Sequence, residues 1–245
     1  MNLFGLIGYP LSHSFSKQYF TQKFEKDGLE DCFFELFPLA TIDQFPELFK
    51  KNETLRGLAV TIPYKESVIP FLSKLTAQAE EIGAVNCIEI LPQGLKGHNT
   101  DVVGFEQSFV PLLQHHHTKA LILGTGGASK AVQYVLKKLG ISFLLVSRKA
   151  GAKGTIAYAD LDENILKEYT IIINCTPVGM SPAEHELPKL PYEHINFVHY
   201  FYDLVYKPEE TLFLKEGKQR GAIVKNGFDM LLIQAEENWK IWNEL

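Results

Sequence analysis

Ala120-Leu-Ile-Leu-Gly-Thr-Gly-Gly-Ala-Ser-Lys-Ala131 carries the strongest indication of fold in the second half of this chain. Its apolar run predicts a buried strand, and the strand leads directly into a glycine turn. The residues that follow have helical periodicity and end at Gly140, with an apolar face formed by Ala131, Val132, Val135, Leu136 and Leu139. A strand, a glycine turn and a helix in this order predict a dinucleotide-binding unit, because the amides that begin the helix bind a pyrophosphate.

The glycine turn supplies the first group of predicted cofactor contacts. Gly124 permits the tight turn, and Gly126 lets a pyrophosphate approach the backbone. Ser129 stands where the motif usually has Gly or Ala, and it is small enough to fit. The predicted contacts from this segment are Gly124, Thr125, Gly126, Gly127, Ala128 and Ser129. The alternative is a glycine-rich turn that binds no ligand.

The end of the next predicted strand indicates which dinucleotide binds. NAD sites usually carry Asp or Glu at this point, about twenty residues after the turn. Here Ser147 is followed by Arg148 and Lys149, with Lys153 nearby. A guanidinium can bind a 2′-phosphate through two charge-assisted hydrogen bonds, whereas a carboxylate would repel it. The sequence therefore favours NADP(H) contacted by Ser147, Arg148 and Lys149, although Arg148 could also be a solvated loop charge.

Asn174 and Thr176 follow a further buried strand of the second half. In open α/β sheets the carboxyl ends of the strands face the ligand. The two side chains either cap the turn or contact the cofactor, and the sequence leaves both alternatives open.

Strand-like segments alternate with helical periodicity along the whole chain, which predicts α/β layers with largely parallel sheets. We predict two domains: a substrate domain of residues 1–101, completed by a C-terminal helix at 227–245, and a dinucleotide-binding domain of residues 102–226. The predicted strands cover residues 3–8, 32–36, 57–62, 85–91, 120–124, 142–147, 170–175, 197–204 and 222–224.

The composition is that of an ordinary globular protein, with 245 residues, 46% apolar and 22% charged residues and a net charge of −5. Mild acidity without a basic stripe argues against nucleic-acid binding. No secretion signal and no apolar run of spanning length is found in the sequence, and the cysteines are few and scattered, which together predict a cytoplasmic protein. The run His115-His-His117 has no second ligand cluster, so we predict a solvated connector and no metal site.

A second set of polar residues lies in the first half. Lys65 ends the segment Leu58-Ala-Val-Thr-Ile-Pro-Tyr-Lys65, where we expect the end of a strand to hold its ammonium group in place. Asn86 and Asp101 occupy similar settings. A lone lysine is most often a surface charge, but a Lys and Asp pair beside a hydride carrier predicts a dehydrogenase.

Two serines follow the first strand. Ser14 and Ser16 are two residues apart, so in an extended segment their hydroxyl groups would point the same way and could hold one carboxylate. The alternative for Ser16 is a helix cap. His13 has no nucleophile signature beside it, so we assign it no catalytic role.

The chain resembles the shikimate dehydrogenase family in motifs that span nearly its whole length, in the order of the family. Those motifs are Ser12-His-Ser-Phe-Ser16, Val60-Thr-Ile-Pro-Tyr-Lys65, Gly83-Ala-Val-Asn86, Asn99-Thr-Asp101, Gly124-Thr-Gly-Gly-Ala-Ser129 and Asn226-Gly-Phe-Asp-Met-Leu-Leu-Ile-Gln234. The family resemblance implies NADPH-dependent reduction of 3-dehydroshikimate to shikimate in aromatic amino-acid biosynthesis. Two departures are Lys17, where the family has proline, and Ser147-Arg-Lys149, where it has Asn-Arg-Thr.

The resemblance also implies roles for single residues. Ser14 and Ser16 would hold the substrate carboxylate with Tyr206 near it, and Gly227 would lie against the nicotinamide. The ring hydroxyls and the carbonyl would be surrounded by Thr61, Lys65, Asn86, Asp101 and Gln234. Lys65 would be the acid and base, with Asp101 orienting it.

Three other interpretations remain at this stage. The chain could be a broader quinate/shikimate dehydrogenase that uses NAD(P), or a non-catalytic NADP-binding homologue. A methylene-folate dehydrogenase explains less, because nothing there requires the paired serines. For assembly, a homodimer is a candidate.

Overall fold

The computed structural model describes residues 1–11, 14–148, 151 and 154–243. The chain divides into two compact units, and both are α/β, as the alternating pattern predicts. The first unit comprises residues 1–100 and the chain from Gln234 onward, and the second comprises residues 101–233. The first unit is therefore discontinuous in sequence, and the last helix of the chain belongs to both units.

Within the described residues, the first unit is built on one six-stranded sheet of order β2-β1-β3-β5-β6-β4. The strands β1, β2 and β3 are parallel, but β5 is antiparallel to both β3 and β6. The elements are β1 (Asn2–Gly8), α1 (Phe15–Lys26), β2 (Cys32–Pro38), α2 (Phe45–Lys51), β3 (Leu55–Val60), β4 (Lys74–Leu75), α3 (Ala77–Ile82), β5 (Cys87–Leu91) and β6 (Gly94–His98).

The expectation of largely parallel sheets is confirmed, and among the described strands of this unit β5 is the exception, because it runs antiparallel to both of its neighbours while β4 and β6 pair in parallel. Only two residues separate β5 from β6, and such a short connection joins antiparallel neighbours, since parallel strands need a long crossover. The strand β6 was missed by periodicity because its sequence, Gly94-Leu-Lys-Gly-His98, has little apolar content.

The second unit has a six-stranded parallel sheet of order β12-β11-β10-β7-β8-β9. This is the strand order of doubly wound dinucleotide-binding folds, and the order reverses between β7 and β10. The elements are α4 (Asp101–Phe109), β7 (Lys119–Leu123), α5 (Gly127–Lys138), β8 (Ser142–Ser147), β9 (Thr155–Ala157), α6 (Glu163–Glu168), β10 (Ile171–Asn174), β11 (Tyr200–Asp203), α7 (Leu212–Gln219), β12 (Ile223–Lys225) and α8 (Phe228–Asn243).

The end of α8 is anchored in the core of the first unit by Trp242. Its ring stacks on Phe4 at a centroid distance of 5.2 Å, and its Nε1 donates to the carbonyl of Ile88 at 3.1 Å. Gly57 makes room for the indole, because a Cβ at that position would lie 2.3 Å from it. The end of the C-terminal helix is thus part of the core of the first unit.

The bounds of several predicted strands differ in the structure. The segment 57–62 ends as a strand at Val60, and the segment 197–204 is a strand only over Tyr200–Asp203. Lys65 therefore lies in a turn five residues after the strand, and not at the strand end as expected. Within the described part of the chain, no helix is long and apolar enough to cross a bilayer.

Candidate active site

The turn after β7 has the geometry that the glycine pattern predicts. Gly124 has a φ of +102°, in the left-handed region that glycine adopts without steric cost. A Cβ at Gly124 would lie 2.9 Å from Cγ2 of Thr176, so the loops after β7 and β10 are close neighbours. Gly126 precedes α5 as its N-cap, and a Cβ there would meet no described atom within 4 Å. The backbone at Gly126 is thus open to a group that approaches from outside.

The first turn of α5 completes this loop. The backbone N–H groups that begin a helix have no partner within the helix, and together they favour an anion. Ser129 is fully buried, and its Oγ donates to the carbonyl of Gly126 at 2.7 Å. The serine therefore fits the position of the third glycine, but its hydroxyl group is used inside the protein. Thr125, Gly127 and Ala128 belong to the same turn.

The 2′-phosphate contacts predicted at the end of β8 are described only in part. The strand β8 lies beside β7 and ends at Ser147, and the exposed Arg148 follows directly. A guanidinium in this position is accessible to an anion. Lys149 and Lys153 lie outside the described residues.

Asn174 is committed to hydrogen bonds within the protein. It is fully buried, its Nδ2 donates to Asp203 at 3.0 Å, and its Oδ1 accepts from the backbone and hydroxyl groups of Thr176 at 3.0 and 2.6 Å. Of the two alternatives left open by the sequence, these bonds favour the cap of the turn for Asn174. Thr176 is half-buried and lies beside Gly124.

Asp203 ties the loops after β10 and β11 together, and sequence reasoning gave it no role. Its carboxylate accepts from Asn174, from the Val205 backbone at 3.0 Å and from Thr211 Oγ1 at 2.6 Å. Burial raises the pKa of Asp203 to about 6, although its three hydrogen bonds oppose that shift. The carboxylate thus fixes the edge of the sheet at which the predicted cofactor residues lie.

Gly227 and Tyr206 follow the last two strands of the second unit. A Cβ at Gly227 would lie 2.2 Å from the carbonyl oxygen of Leu204, so the close approach of two backbone segments requires glycine here. Tyr206 is half-buried, and its burial raises the pKa of the phenol. The phenol therefore stays protonated at neutral pH and can donate a hydrogen bond.

In the first unit, Ser14 and Ser16 do not lie in an extended segment together, which corrects the geometry expected from the sequence. Ser14 is the N-cap residue of α1, and Ser16 is the second residue of that helix. The hydroxyl of Ser14 makes no cap hydrogen bond, and its buried Oγ has no hydrogen-bond partner among the described residues. A buried hydroxyl without a partner at the N-terminus of a helix is suited to an anionic acceptor. His13 lies outside the described residues.

The turn that carries Lys65 is held by backbone hydrogen bonds. The N–H of Val85 donates to the carbonyl of Lys65 at 2.7 Å, which places the turn beside the segment that leads to Asn86. Thr61, at the start of the same turn, donates its N–H to Ile7 at 2.9 Å. Both Thr61 and Lys65 are half-buried.

Asn86 and Gln234 are brought together by the fold, although they are 148 residues apart. Asn86 Nδ2 donates to Gln234 Oε1 at 3.4 Å and to Thr100 Oγ1 at 2.9 Å. The backbone N–H of Thr100 donates in return to Asn86 Oδ1 at 2.6 Å. Asp101 comes next in the chain, is buried and begins α4, where the helix dipole favours its negative charge.

The histidine run is not the solvated connector that we expected. His117 is buried, accepts from the Gln114 backbone through Nδ1 at 2.9 Å and contacts the Val198 carbonyl through Nε2 at 3.1 Å. His116 Nε2 contacts the same carbonyl at 3.0 Å. Val198 lies far from the histidines in sequence, so the polar residues around the histidine run do not predict these contacts. Among the described residues, no group of three or more potential metal ligands is found.

Comparisons with known proteins agree with this architecture over the whole chain. The shikimate dehydrogenase substrate binding domain matches residues 6–88. The curated shikimate dehydrogenase (NADP(+)) of Halothermothrix orenii is 36% identical over 265 aligned residues, which cover 97% of this chain and 89% of that protein.

Solved structures give the same result. The crystal structure of shikimate dehydrogenase from Aquifex aeolicus is 32% identical, with a TM-score of 0.88 over 100% of this chain and 93% of that one. The shikimate 5-dehydrogenase of Thermus thermophilus, in complex with NADP(H) and shikimate, is 30% identical, with a TM-score of 0.86 over 100% and 94%. The resemblance seen in the motifs is confirmed, and the chain belongs to the shikimate dehydrogenase family.

Proposed function

We propose that this protein catalyses the reversible, NADPH-dependent reduction of 3-dehydroshikimate to shikimate, a step toward chorismate and the aromatic amino acids. The observation that carries the proposal is the match to a curated NADP-dependent shikimate dehydrogenase over 97% of the chain. Both units of the fold are included in that match, so it covers the dinucleotide-binding sheet as well as the substrate domain.

Features of the second unit support NADP(H) as the cofactor. The open backbone at Gly126 and the N-terminus of α5 suit a pyrophosphate, and the exposed Arg148 suits a 2′-phosphate. The remaining proposed contacts are Gly124, Thr125, Gly127, Ala128, Ser129, Ser147, Lys149, Asn174, Thr176 and Gly227. For Ser129 and Asn174, whose side chains are fully buried, we propose support of the loop through internal hydrogen bonds.

The first unit offers groups for a hydroxylated carboxylic acid. The unpartnered hydroxyl of Ser14, next to the N-terminus of α1, suits the carboxylate of the substrate, and Ser16 adds a second hydroxyl in the first helical turn. Tyr206, whose phenol is protonated at neutral pH and whose pKa burial raises further, is the third proposed donor to the carboxylate. The amides of Asn86 and Gln234, with Thr61, would bind the ring hydroxyls.

The chemistry needs one hydride and one proton. NADPH, when bound, supplies the hydride to the carbon of the ring ketone and is oxidised to NADP⁺. We propose that the ammonium group of Lys65 gives its proton to the ketone oxygen, and that the resulting amine takes a proton from water. Asp101 orients that ammonium group and accepts from the neighbouring hydroxyl. In the reverse direction the neutral amine of Lys65 removes the hydroxyl proton.

The test is an assay of the purified protein with shikimate and NADP⁺, followed by the absorbance of the reduced nicotinamide. We expect the highest kcat/KM for this pair and lower values when quinate replaces shikimate or NAD⁺ replaces NADP⁺. Equal values for quinate would indicate the broader quinate/shikimate dehydrogenase, and no turnover with any pair would indicate a non-catalytic homologue.

Compartment and assembly are further parts of the proposal. The cysteines Cys32, Cys87 and Cys175 are all free thiols, which agrees with a reducing cytoplasm. The strand β2 is at the edge of its sheet and exposes Phe33, a surface that a second copy could cover in a homodimer. Sedimentation of the purified protein would decide between monomer and dimer.

A further inference from the structure

The helix α8 carries a buried amide that the family resemblance does not assign. Asn238 is 1% exposed and lies one helical turn after Gln234. A buried amide is costly unless its donors and its acceptor are hydrogen-bonded. The partners of Asn238 are residues that hold or adjoin the proposed substrate site.

The oxygen of this amide is bonded to Thr100. Thr100 Oγ1 lies 2.7 Å from Asn238 Oδ1 and 2.9 Å from Asn86 Nδ2. The single hydroxyl proton of Thr100 has two amide oxygens within reach, Asn238 Oδ1 at 2.7 Å and Asn86 Oδ1 at 3.2 Å. The shorter distance favours Asn238 as the acceptor, and Thr100 Oγ1 then accepts from Asn86 Nδ2.

The nitrogen of the same amide is directed to Gln234. Asn238 Nδ2 and Asn86 Nδ2 each lie 3.4 Å from Gln234 Oε1. Both bonds are long, so their main effect is orientation and not strength. With two donors facing Oε1, the Gln234 amide keeps its oxygen on the Asn86 side and its nitrogen on the opposite side.

We propose that Asn238 is a positioning residue for substrate binding, which fixes the amide orientation of Gln234 and holds the Thr100 hydroxyl to which Asn86 donates. The inference rests on the proposed function, since it concerns the residues proposed to bind the ring hydroxyls. A hydroxyl is bound well only if a donor faces its oxygen or an acceptor faces its proton. When an amide turns over, its donor and its acceptor exchange places and the hydroxyl loses its partner. The loss of Asn238 should therefore weaken shikimate binding more than cofactor binding.

The experiment compares two substitutions with a control on the same helix. Asn238→Asp keeps an acceptor for Thr100 but replaces the donor to Gln234 by an oxygen, which would turn the Gln234 amide over. Asn238→Leu removes both bonds at similar volume. Trp242→Phe, one turn further along α8, removes one buried hydrogen bond outside this cluster. For each variant, the KM for shikimate, the KM for NADP⁺, kcat and the urea unfolding midpoint are measured.

For both Asn238 variants we expect the KM for shikimate to rise about 3- to 10-fold, the loss that corresponds to one misplaced hydrogen bond, with the KM for NADP⁺ nearly unchanged. For Trp242→Phe we expect a lower unfolding midpoint and both KM values close to those of the wild type. In a Gln234→Ala background the effect of Asn238→Asp should shrink, because the side chain on which it acts is gone.

Two results would overturn the positioning role alone: an unchanged KM for shikimate in an active Asn238→Asp enzyme, or an equal effect in the Gln234→Ala background. A rise in both KM values that follows the loss of stability would reduce Asn238 to a structural residue. If the wild type itself does not reduce NADP⁺ with shikimate, the proposed function fails, and the positioning role fails with it.

Discussion

Lys65 lies in a turn whose backbone is bonded to Val85, and the turn follows the strand β3 by five residues. A loop residue held in this way can be placed as well as one at a strand end, because its backbone carbonyl is fixed by a hydrogen bond of 2.7 Å. For this single residue, the turn therefore fixes the position of the backbone, and the placement of the ammonium group stays a prediction.

Replacement of Lys65 by Met should test its role in proton transfer. The change keeps the length of the side chain and removes the ammonium group, so we expect kcat to fall by about 10²–10⁴ with a smaller change in KM. Lys74→Met, an exposed lysine on β4, serves as the matched control and should keep full activity. Turnover of Lys65→Met at the wild-type rate would exclude Lys65 as the acid and base.

Gly126→Ala should separate cofactor binding from folding. The backbone of Gly126 has a φ of −77°, which alanine tolerates, and the new Cβ would meet no described atom within 4 Å. We expect the free energy of unfolding to stay the same or to rise by about 0.4–1 kcal/mol, because the unfolded chain loses freedom. The KM for NADP⁺ should rise at least about tenfold, equivalent to about 1.4 kcal/mol of binding. An unaltered KM would place the pyrophosphate elsewhere.

Among the elements, α8 is held against α1 within the first unit by a small polar cluster. The hydroxyl of Tyr19 donates to the carboxylate of Glu236, and Lys23 pairs with the same carboxylate at 3.1 Å and with Asp27 at 3.2 Å. Burial and then the bond to Glu236 raise the pKa of Tyr19, so the phenol remains a donor throughout the neutral range. Because Ser14 occupies the N-cap position of α1 and α8 carries Gln234, this cluster links two helices that bear proposed substrate ligands.

Tyr19→Phe removes the phenolic donor and retains the ring. We expect the free energy of unfolding to fall by about 1.5 kcal/mol, near the lower end for a hydrogen bond to a charged group, since the pair is only part-buried. Urea unfolding measures the change, and Glu25→Gln, an exposed position on the same helix, is the control. Equal stability of Tyr19→Phe and the wild type would mean that the bond contributes nothing.

For the molecule as a whole, two buried histidines make stability depend on pH. His117 and His199 each accept a backbone N–H through Nδ1, and each Nε2 contacts a carbonyl, so both are held in the neutral form. Burial is the main cause that lowers the pKa of each. A histidine with a pKa lower in the folded than in the unfolded chain takes up protons more readily on unfolding.

These histidines should therefore make their full contribution to the free energy of unfolding above their unfolded pKa of about 6.5. As the pH falls below that value, the free energy of unfolding should decrease. Urea unfolding at pH 7.5 and 5.5 measures this loss. His117→Gln and His199→Gln should be less stable at both values but lose less between them, whereas the exposed His115→Gln should behave as the wild type does. Asp203 acts in the opposite sense. Its pKa is raised to about 6 in the folded chain, so the folded state binds a proton more readily than the unfolded state and the contribution of Asp203 to stability rises as the pH falls.

If both histidine variants lose as much free energy of unfolding between pH 7.5 and 5.5 as the wild type does, the pH dependence belongs to other groups. Asp203 contributes equally to the pH dependence of stability in the wild type and in the variants. A difference between them therefore reports on the histidines.

Much of the second unit could be predicted because its signals are local. The apolar run, the positive φ of Gly124 and the small Ser129 lie within ten residues of one another, and each follows from backbone sterics or helix geometry. The family resemblance, from motifs spread along the chain, supplied the substrate and the chemistry. The bounds of the strands were predicted less accurately. The antiparallel hairpin β5–β6 was missed because its second strand has no clear alternation of apolar and polar residues.

The order of amino acids was enough to establish the α/β class, the dinucleotide turn, the preference for NADP(H) and the family of the protein. The folded chain was needed to show which polar side chains are free to serve a ligand and which are used inside the fold. Thr100 meets Asn238 across 138 residues of sequence, and His117 meets Val198 across 81. The physical cause is that periodicity reports which face of an element is buried, whereas a buried hydrogen bond depends on partners that only folding brings together.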